Sequence, residues 1–258
     1  MTANADRPRL IRAYKHGWPR IAVDRMIRRK LVGGLNRVRA QGLAAIRAEI
    51  DRDPSGTLFL ANHSCWWDLF LVHLLNGAIP VDGYGMMEHF NMLRFGFFRR
   101  IGAFSVDRTD PRSVRASLAY VHELLNHPRA GVWIFPQGRL VGNDVRPLGF
   151  QPGLRALIRR AGGIRVVPVA FRFEFWQDER PEAFVRFGSP ARFGPDDRST
   201  VLDACERSLT AELDALKVDV TAQAVDRFEV IFAGKASTSD RYARARARVA
   251  GPTRGAPD

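Results

Sequence analysis

The sequence predicts an α/β domain built on a single mixed, partly parallel sheet flanked by helices. Three short, continuous apolar runs at residues 57–61, 131–135 and 164–171 have the length and composition of buried strands. Helix-like stretches at residues 113–126 and 153–161 lie between these runs. Strands that alternate with helices are typical of a covered sheet, so we expect at least part of this one to be parallel.

The first 50 residues form a separate region in this prediction. From residue 9 to 50, apolar residues recur at spacings of three and four, with basic residues between them and few acidic ones. Pro19 and the pair Gly33-Gly34 are expected to divide the stretch into shorter helices. A basic face opposite an aromatic and aliphatic face suits an amphipathic helical region that lies in a membrane interface. The alternative is an ordinary amphipathic helix that covers the core.

Later in the chain we expect a strand at residues 185–188 and a helix at residues 199–216. After about Lys235 the composition shifts to Ala, Arg, Ser, Gly and Pro, which is typical of a disordered tail.

The composition is strongly basic, with a formal net charge of +13 and a pI near 10.9. Such a surface attracts phosphate groups of nucleic acid or of anionic lipids. The excess of Arg over Lys also fits a GC-rich coding background. Two cysteines, Cys65 and Cys205, are too few for a disulfide framework, which indicates a reducing interior. No apolar run reaches about 18 residues and no signal peptide is recognisable, so we expect the chain on the cytoplasmic side.

The segment with the clearest chemistry runs from Asn62 to Asp68, between a predicted buried strand and an apolar helix-like run at residues 69–75. His63 and Asp68 are five positions apart, about 140° around a continuous helix, so they would not face each other there. They can meet if His63 lies in the turn after the strand and Asp68 lies in the first turn of the helix. The carboxylate would then hold one ring nitrogen and leave the other to take a proton from a hydroxyl. A purely structural pair is the alternative, and no cluster of ligands favours a metal.

Asn62-His63 followed by Asp68 resembles the first motif of the glycerolipid acyltransferases, the lysophosphatidate acyltransferase-like superfamily. Four further segments resemble later motifs of that family, in the family's order, within residues 58–171. They are Gly102 to Arg108, Phe135-Pro136-Gln137-Gly138-Arg139, Phe150 to Gly153, and Val167-Pro168-Val169. Each segment alone is weak evidence for the resemblance, whereas the whole set in this order is specific to the family.

The resemblance implies that His63 is the general base for attack of an acceptor hydroxyl on an acyl thioester, with Asp68 orienting it. No covalent acyl-enzyme, metal or bound cofactor is required. Arg108 is expected to bind an acceptor phosphate, and Gly138 to let backbone amides approach the oxyanion or the phosphate. The motif positions expected to bind substrate are Asn62, Gly102, Arg108, Phe135, Pro136, Gln137, Gly138 and Arg139.

Two departures from the family pattern concern the acceptor. Gln137 stands where the family usually has Glu, and Arg139 follows Gly138 directly, without the usual intervening Thr. The first expected acceptor is 1-acylglycerol 3-phosphate, which would give phosphatidate. Another lysophospholipid, a glycolipid or a carotenoid glycoside stays open as the acceptor.

Residues 86–104 place many aromatic and aliphatic side chains around Arg94, Arg99 and Arg100. This stretch is either a core helix with a basic edge or an acyl-chain groove or membrane contact.

The predicted organisation is a membrane-docking region at 1–50, an acyltransferase catalytic domain at 51–235 and a basic disordered tail at 236–258. The expected partners are acyl-CoA or acyl-carrier protein, a lysophospholipid and an anionic membrane surface. This places the protein peripherally or monotopically on the cytoplasmic face of the inner or plasma membrane. A nucleic-acid-binding protein is a rival suggested by charge alone, without any recognisable nucleic-acid motif. A pseudoenzyme that binds lipid is another.

Overall fold

A nine-stranded sheet is the framework of the computed structural model, which describes residues 10–160, 163–176, 178–193 and 200–235, and singly 238, 242 and 246. The strands are β1 (Arg37–Gln41), β2 (Thr57–Ala61), β3 (Asp82–Glu88), β4 (Ala103–Val106), β5 (Ala130–Ile134), β6 (Ile164–Glu174), β7 (Glu182–Phe187), β8 (Ala191–Phe193) and β9 (Glu229–Ala233). The α-helices are α1 (Pro19–Gly34), α2 (Leu43–Arg52), α3 (Asp68–Ala78), α4 (His89–Arg94), α5 (Pro111–Leu125), α6 (Gly153–Arg160) and α7 (Val201–Thr221). Short 3-10 helices form at Gly96–Ile101 and Val225–Arg227.

Neighbouring strands follow the order β4-β3-β5-β2-β6-β7-β1-β9, and β8 also pairs with β6. Five pairs are parallel, namely β4 with β3, β3 with β5, β5 with β2, β2 with β6, and β7 with β1. The pairs β6–β7, β6–β8 and β1–β9 are antiparallel. The predicted fold class, a mixed and partly parallel sheet flanked by helices, is therefore confirmed. Ligands of such sheets bind beyond the carboxyl ends of the parallel strands.

The predicted buried strands are correct. The run at 57–61 is β2, the run at 131–135 is β5 displaced by one residue, and the run at 164–171 is β6, which continues to Glu174. The late strand begins at Glu182, before the predicted start. The three predicted helices at 113–126, 153–161 and 199–216 correspond to α5, α6 and α7.

The helical prediction for residues 9–50 is wrong at residues 10–18, which precede α1 and are not helical, and at residues 37–41, which form β1 inside the sheet. Val38 and Ala40 are buried, whereas Arg37 and Arg39 project to the other face and form ion pairs with Glu182 of β7. The alternation of buried and exposed side chains that identifies a strand is hard to recognise in the sequence here, because only five residues carry it and helical segments flank them. Strand β1 thus joins the N-terminal region to the main sheet.

Helix α1 covers the core with one face, which is the alternative weighed for this region. Val23, Ile27 and Leu31 lie one helical turn apart and are buried, while Trp18 and Ile21 at its N-terminal end are exposed. Among the described helices, none combines the length and the apolarity that a membrane crossing requires. The predicted tail at 236–258 lies outside the described residues, apart from three isolated positions.

Residues 86–104 do not form one helix. They contain the end of β3, helix α4, the 3-10 helix at Gly96–Ile101 and the start of β4. Gly102 has a φ of +104°, and a Cβ there would lie 2.3 Å from the carbonyl oxygen of Gly83. Only glycine allows both this conformation and this approach, so the chain reverses there and enters β4.

The core has two layers, one on each face of the sheet. In β2, Phe59 and Ala61 belong to one buried cluster, while Leu58 and Leu60 belong to the other. The first cluster contains residues of α1, α2 and α3, and the second contains residues of α5, α6 and α7. Covering both faces explains why β2 is buried at every position.

Candidate active site

His63 and Asp68 meet beyond the carboxyl end of β2. The strand ends at Ala61 and α3 begins at Asp68, so His63 lies in the turn between them. Nδ1 of His63 is 2.8 Å from Oδ2 of Asp68. The Asp68 side chain is fully buried, whereas the His63 side chain is 29% exposed. The pair therefore has a buried carboxylate behind an accessible imidazole.

The position of the Asp68 carboxylate is fixed by several hydrogen bonds. Its Oδ2 also accepts from the backbone N–H groups of Ser64, at 2.8 Å, and Cys65, at 3.0 Å. It lies in the first turn of α3, where the helix dipole favours negative charge. Because the carboxylate accepts from Nδ1, that nitrogen carries the hydrogen and Nε2 is left to accept a proton.

The third motif supports His63 from two sides. The ring of Phe135 stacks on the imidazole with 4.5 Å between ring centroids. The backbone N–H of His63 donates to Oε1 of Gln137 at 2.7 Å, and its carbonyl accepts from the N–H of Val141 at 2.8 Å. Gln137 is itself buried, with 2% of the residue exposed. Its amide oxygen thus holds the backbone that carries the base.

Asn62 connects the end of β2 to β6. Its side-chain oxygen accepts from the N–H of Phe171 at 2.7 Å, and its side-chain N–H₂ donates to the Phe171 carbonyl at 3.0 Å and to Asn143 at 2.9 Å. The side chain therefore continues the pairing of β2 with β6 where β2 has ended. Among the described residues, Asn62 and Gly102, both predicted to bind substrate, do not line the cavity beside His63.

A cavity of about 660 Å³ opens beside His63. Its volume is within the usual range for a small-molecule site. Most of its wall is apolar and comes from α3, β3, the 3-10 helix at Gly96–Ile101, α5 and α6. Of the predicted site residues, the wall includes His63, Arg108, Phe135, Pro136, Gly138 and Arg139.

The apolar part of the cavity fits the interpretation of residues 86–104 as part of an acyl-chain groove. Met86, Phe95 and Phe98 from that stretch line the wall, and Trp66 and Phe70 continue it with aromatic rings in mutual contact. A wall of this composition can hold a hydrocarbon chain.

Arg108 lies across Gly138 in this wall. Gly138 has a φ of +66°, and a Cβ at this position would be 2.9 Å from Nη1 of Arg108. Nε of Arg108 donates to Oε2 of Glu88 at 2.8 Å. Glu88 is the last residue of β3, the neighbour of β4. Sequence reasoning missed Glu88, because β3 was not recognised as a strand.

Cys65 is adjacent to the pair but is not poised as a nucleophile. Burial, followed by the negative charge of Asp68, raises the pKa of the Cys65 thiol to about 12. The neutral thiol is a poor nucleophile.

A carboxylate-held imidazole in the wall of an apolar cavity is suited to take a proton from the hydroxyl of an apolar substrate. The model of the Acyltransferase family matches residues 37–172, just over half of the chain. The chain therefore belongs to this family of glycerolipid acyltransferase-like proteins, which confirms the resemblance seen in its motifs. Comparison with curated protein sequences found no match.

Proposed function

We propose that the protein is an O-acyltransferase that moves a fatty acyl group from acyl-CoA or acyl-carrier protein to a lipid hydroxyl. The first acceptor to consider is 1-acylglycerol 3-phosphate, which would become phosphatidate. The observation that carries the proposal is the 2.8 Å contact between His63 and the buried Asp68 in the wall of an apolar cavity. Family membership supports acyl transfer, and the cavity supports a substrate with a hydrocarbon chain.

In the proposed reaction, Nε2 of His63 takes the proton of the acceptor hydroxyl as its oxygen attacks the thioester carbonyl carbon. The buried Asp68 carboxylate stabilises the imidazolium that forms. The tetrahedral intermediate then expels the thiolate, and His63 returns its proton to the sulfur. The products are an ester and a free thiol, and the base is regenerated without a covalent acyl-enzyme.

The acceptor head group would bind at the part of the wall where Arg108 and Arg139 supply positive charge. Guanidinium groups suit a phosphate because they donate two hydrogen bonds in parallel. A second candidate is transfer to an acceptor without a phosphomonoester, such as another lysophospholipid, a glycolipid or a carotenoid glycoside. The ion pair between Arg108 and Glu88 favours this candidate, because it offsets part of the positive charge.

We also propose that the protein works on an anionic membrane surface at the cytoplasmic face. The support is a set of exposed apolar side chains at the start of α1, before α3, on α4 and on the 3-10 helix at Gly96–Ile101, together with exposed basic residues of α1. The apolar set is Trp18, Ile21, Trp66, Phe90, Leu93 and Phe97. The basic set is Arg20, Arg25, Arg28, Arg29 and Lys30. Helix α1 packs beside the 3-10 helix that carries Phe97, so both sets can contact one interface. We expect no nucleic-acid partner.

The test is thiol release from acyl-CoA or acyl-carrier protein by the purified protein in lipid vesicles, with 1-acylglycerol 3-phosphate as the acceptor. His63→Ala should abolish acceptor-dependent release. The matched control is His73→Ala, which removes a histidine 2.7 Å from Asp24 on the surface and should leave the rate unchanged. Equal rates for wild type and His63→Ala with every acceptor would refute the mechanism. Thiol release with other acceptors only would support His63 as the base and exclude 1-acylglycerol 3-phosphate as the acceptor.

A further inference from the structure

The described cavity wall contains four ionisable side chains, those of His63, Glu88, Arg108 and Arg139. Only one of them, Glu88, is acidic. Its carboxylate is 31% exposed and is 2.8 Å from Nε of Arg108, whose side chain is 48% exposed. The pair joins the ends of two adjacent strands, β3 and β4, so neighbouring backbones hold both partners close together.

The geometry leaves part of the Arg108 guanidinium available to a ligand. Glu88 occupies Nε, while Nη1 lies against Gly138 in the cavity wall. A phosphate that binds the remaining N–H groups of Arg108 must therefore approach the Glu88 carboxylate. A phosphomonoester carries about −1.5 to −2 charges at pH 7, so it is repelled by that carboxylate. A head group with hydroxyls can instead donate to Glu88 and accept from Arg108.

We propose that Glu88 is a specificity-determining residue that makes the acceptor site select against phosphomonoester head groups and for uncharged, hydroxyl-bearing ones. This inference rests on the proposed acyl transfer and favours its second candidate, an acceptor without a phosphomonoester, over 1-acylglycerol 3-phosphate. Arg108 retains the ability to bind phosphate, and Glu88 weakens that binding. Substituting Glu88 should therefore change which acceptor is used, with little effect on His63.

The test compares two acceptors that differ only in the phosphate, 1-acylglycerol 3-phosphate and 1-acylglycerol, at equal mole fractions in zwitterionic vesicles. Glu88→Gln removes the charge and keeps a side chain of the same shape. It should raise the ratio of kcat/KM for the phosphate-bearing acceptor to that for the uncharged one by about five- to tenfold. The gain should lie in KM, with kcat within about twofold.

Two further variants separate charge in the site from other effects. Glu123→Gln removes an exposed glutamate that pairs with Arg12 at 2.8 Å, outside the cavity wall. It changes the net charge equally, so its acceptor ratio should equal that of the wild type. Glu88→Asp keeps the negative charge and should leave the ratio closer to wild type than Glu88→Gln does.

The inference is overturned if Glu88→Gln leaves the ratio unchanged, as expected if phosphate binds only Arg139. It is also overturned if the ratio falls, because Glu88 would then serve to position Arg108 for phosphate. Binding of glycerol 3-phosphate, followed by NMR titration, provides a readout that needs no turnover. Tighter binding to Glu88→Gln without any thiol release would support the role of Glu88 and refute the proposed function. Unchanged binding together with His63-dependent thiol release would refute the role of Glu88 and support the proposed function.

Discussion

The backbone N–H of His63 donates a 2.7 Å hydrogen bond to the side-chain oxygen of Gln137, a residue 74 positions later in the chain. Gln137 follows β5, the strand that pairs with β2, so the turns after two adjacent strands brace each other. Gln137 thus contacts the backbone of the proposed base, while the cavity wall beside it is made by Pro136 and Gly138.

Replacing Gln137 tests this bracing role. Gln137→Glu keeps an oxygen acceptor, so we expect kcat within a few-fold of wild type. Gln137→Ala leaves a part-buried N–H without its partner and should lower stability by about 1–3 kcal/mol, with a lower kcat. Thermal unfolding and thiol release measure the two effects. A wild-type kcat in the alanine variant, or a shift confined to the acceptor KM, would contradict the role.

Asp68→Asn should lower kcat strongly with little change in KM, because an amide cannot hold the same tautomer or stabilise the imidazolium. By analogy with the serine-protease triad, the loss is about 10²- to 10⁴-fold. Since His63 and Asp68 act as a unit, the double variant with His63→Ala should be little slower than His63→Ala alone. Multiplicative losses in the double variant would show that the two residues act independently.

Gly34 and Gly33 provide a matched pair in the last turn of α1. A Cβ on Gly34 would lie 2.1 Å from the Trp67 ring, whereas a Cβ on Gly33 meets nothing within 4 Å. Gly34→Ala should destabilise the protein by about 1–3 kcal/mol and displace Trp67, the neighbour of Asp68. Gly33→Ala should be neutral or stabilise it by up to about 1 kcal/mol. Chemical denaturation of both variants checks this, and equal stabilities would disprove the contact.

Gly138 and Gly149 separate backbone strain from contact with Arg108. Both have positive φ, +66° and +73°, but only a Cβ on Gly138 would meet Arg108. Each Gly→Ala change should cost about 1 kcal/mol or more of folding free energy. Gly138→Ala should additionally raise the KM for a phosphate-bearing acceptor. A similar KM in both variants would place the acceptor away from Arg108.

Cys65 should be dispensable for turnover. Because burial and Asp68 raise the pKa of its thiol to about 12, the thiolate is scarce at any pH below 10. Cys65→Ala should retain most of the activity, and alkylation of the native protein at pH 8 should be much slower than that of a free thiol. Mass spectrometry of the alkylated protein measures this. Rapid alkylation of Cys65, together with loss of activity in Cys65→Ala, would support a covalent acyl-enzyme instead.

Local pattern was sufficient to predict the central strands and the contact between His63 and Asp68, the proposed catalytic pair. A continuous apolar run identifies β2 because the strand is buried on both faces. The sequence interval between His63 and Asp68 is spanned by one turn and the start of one helix, so their meeting depends mainly on local geometry. The ordered motifs also identify the family, and the match of the Acyltransferase family model over residues 37–172 confirms it.

Long-range pairing decided the rest. Strand β1 exists because β7 and β9 flank it, and its five residues carry too little periodicity to identify it from the sequence alone. Glu88 reaches Arg108, 20 residues away, because β3 and β4 lie side by side in the sheet. Gln137 reaches the backbone of His63 in the same manner, through β5 and β2. The sequence by itself determined which residues are proposed to carry the chemistry. The tertiary structure alone decided which residues brace the base and which charge faces the proposed phosphate site, because those contacts depend on strand order, which no local pattern encodes.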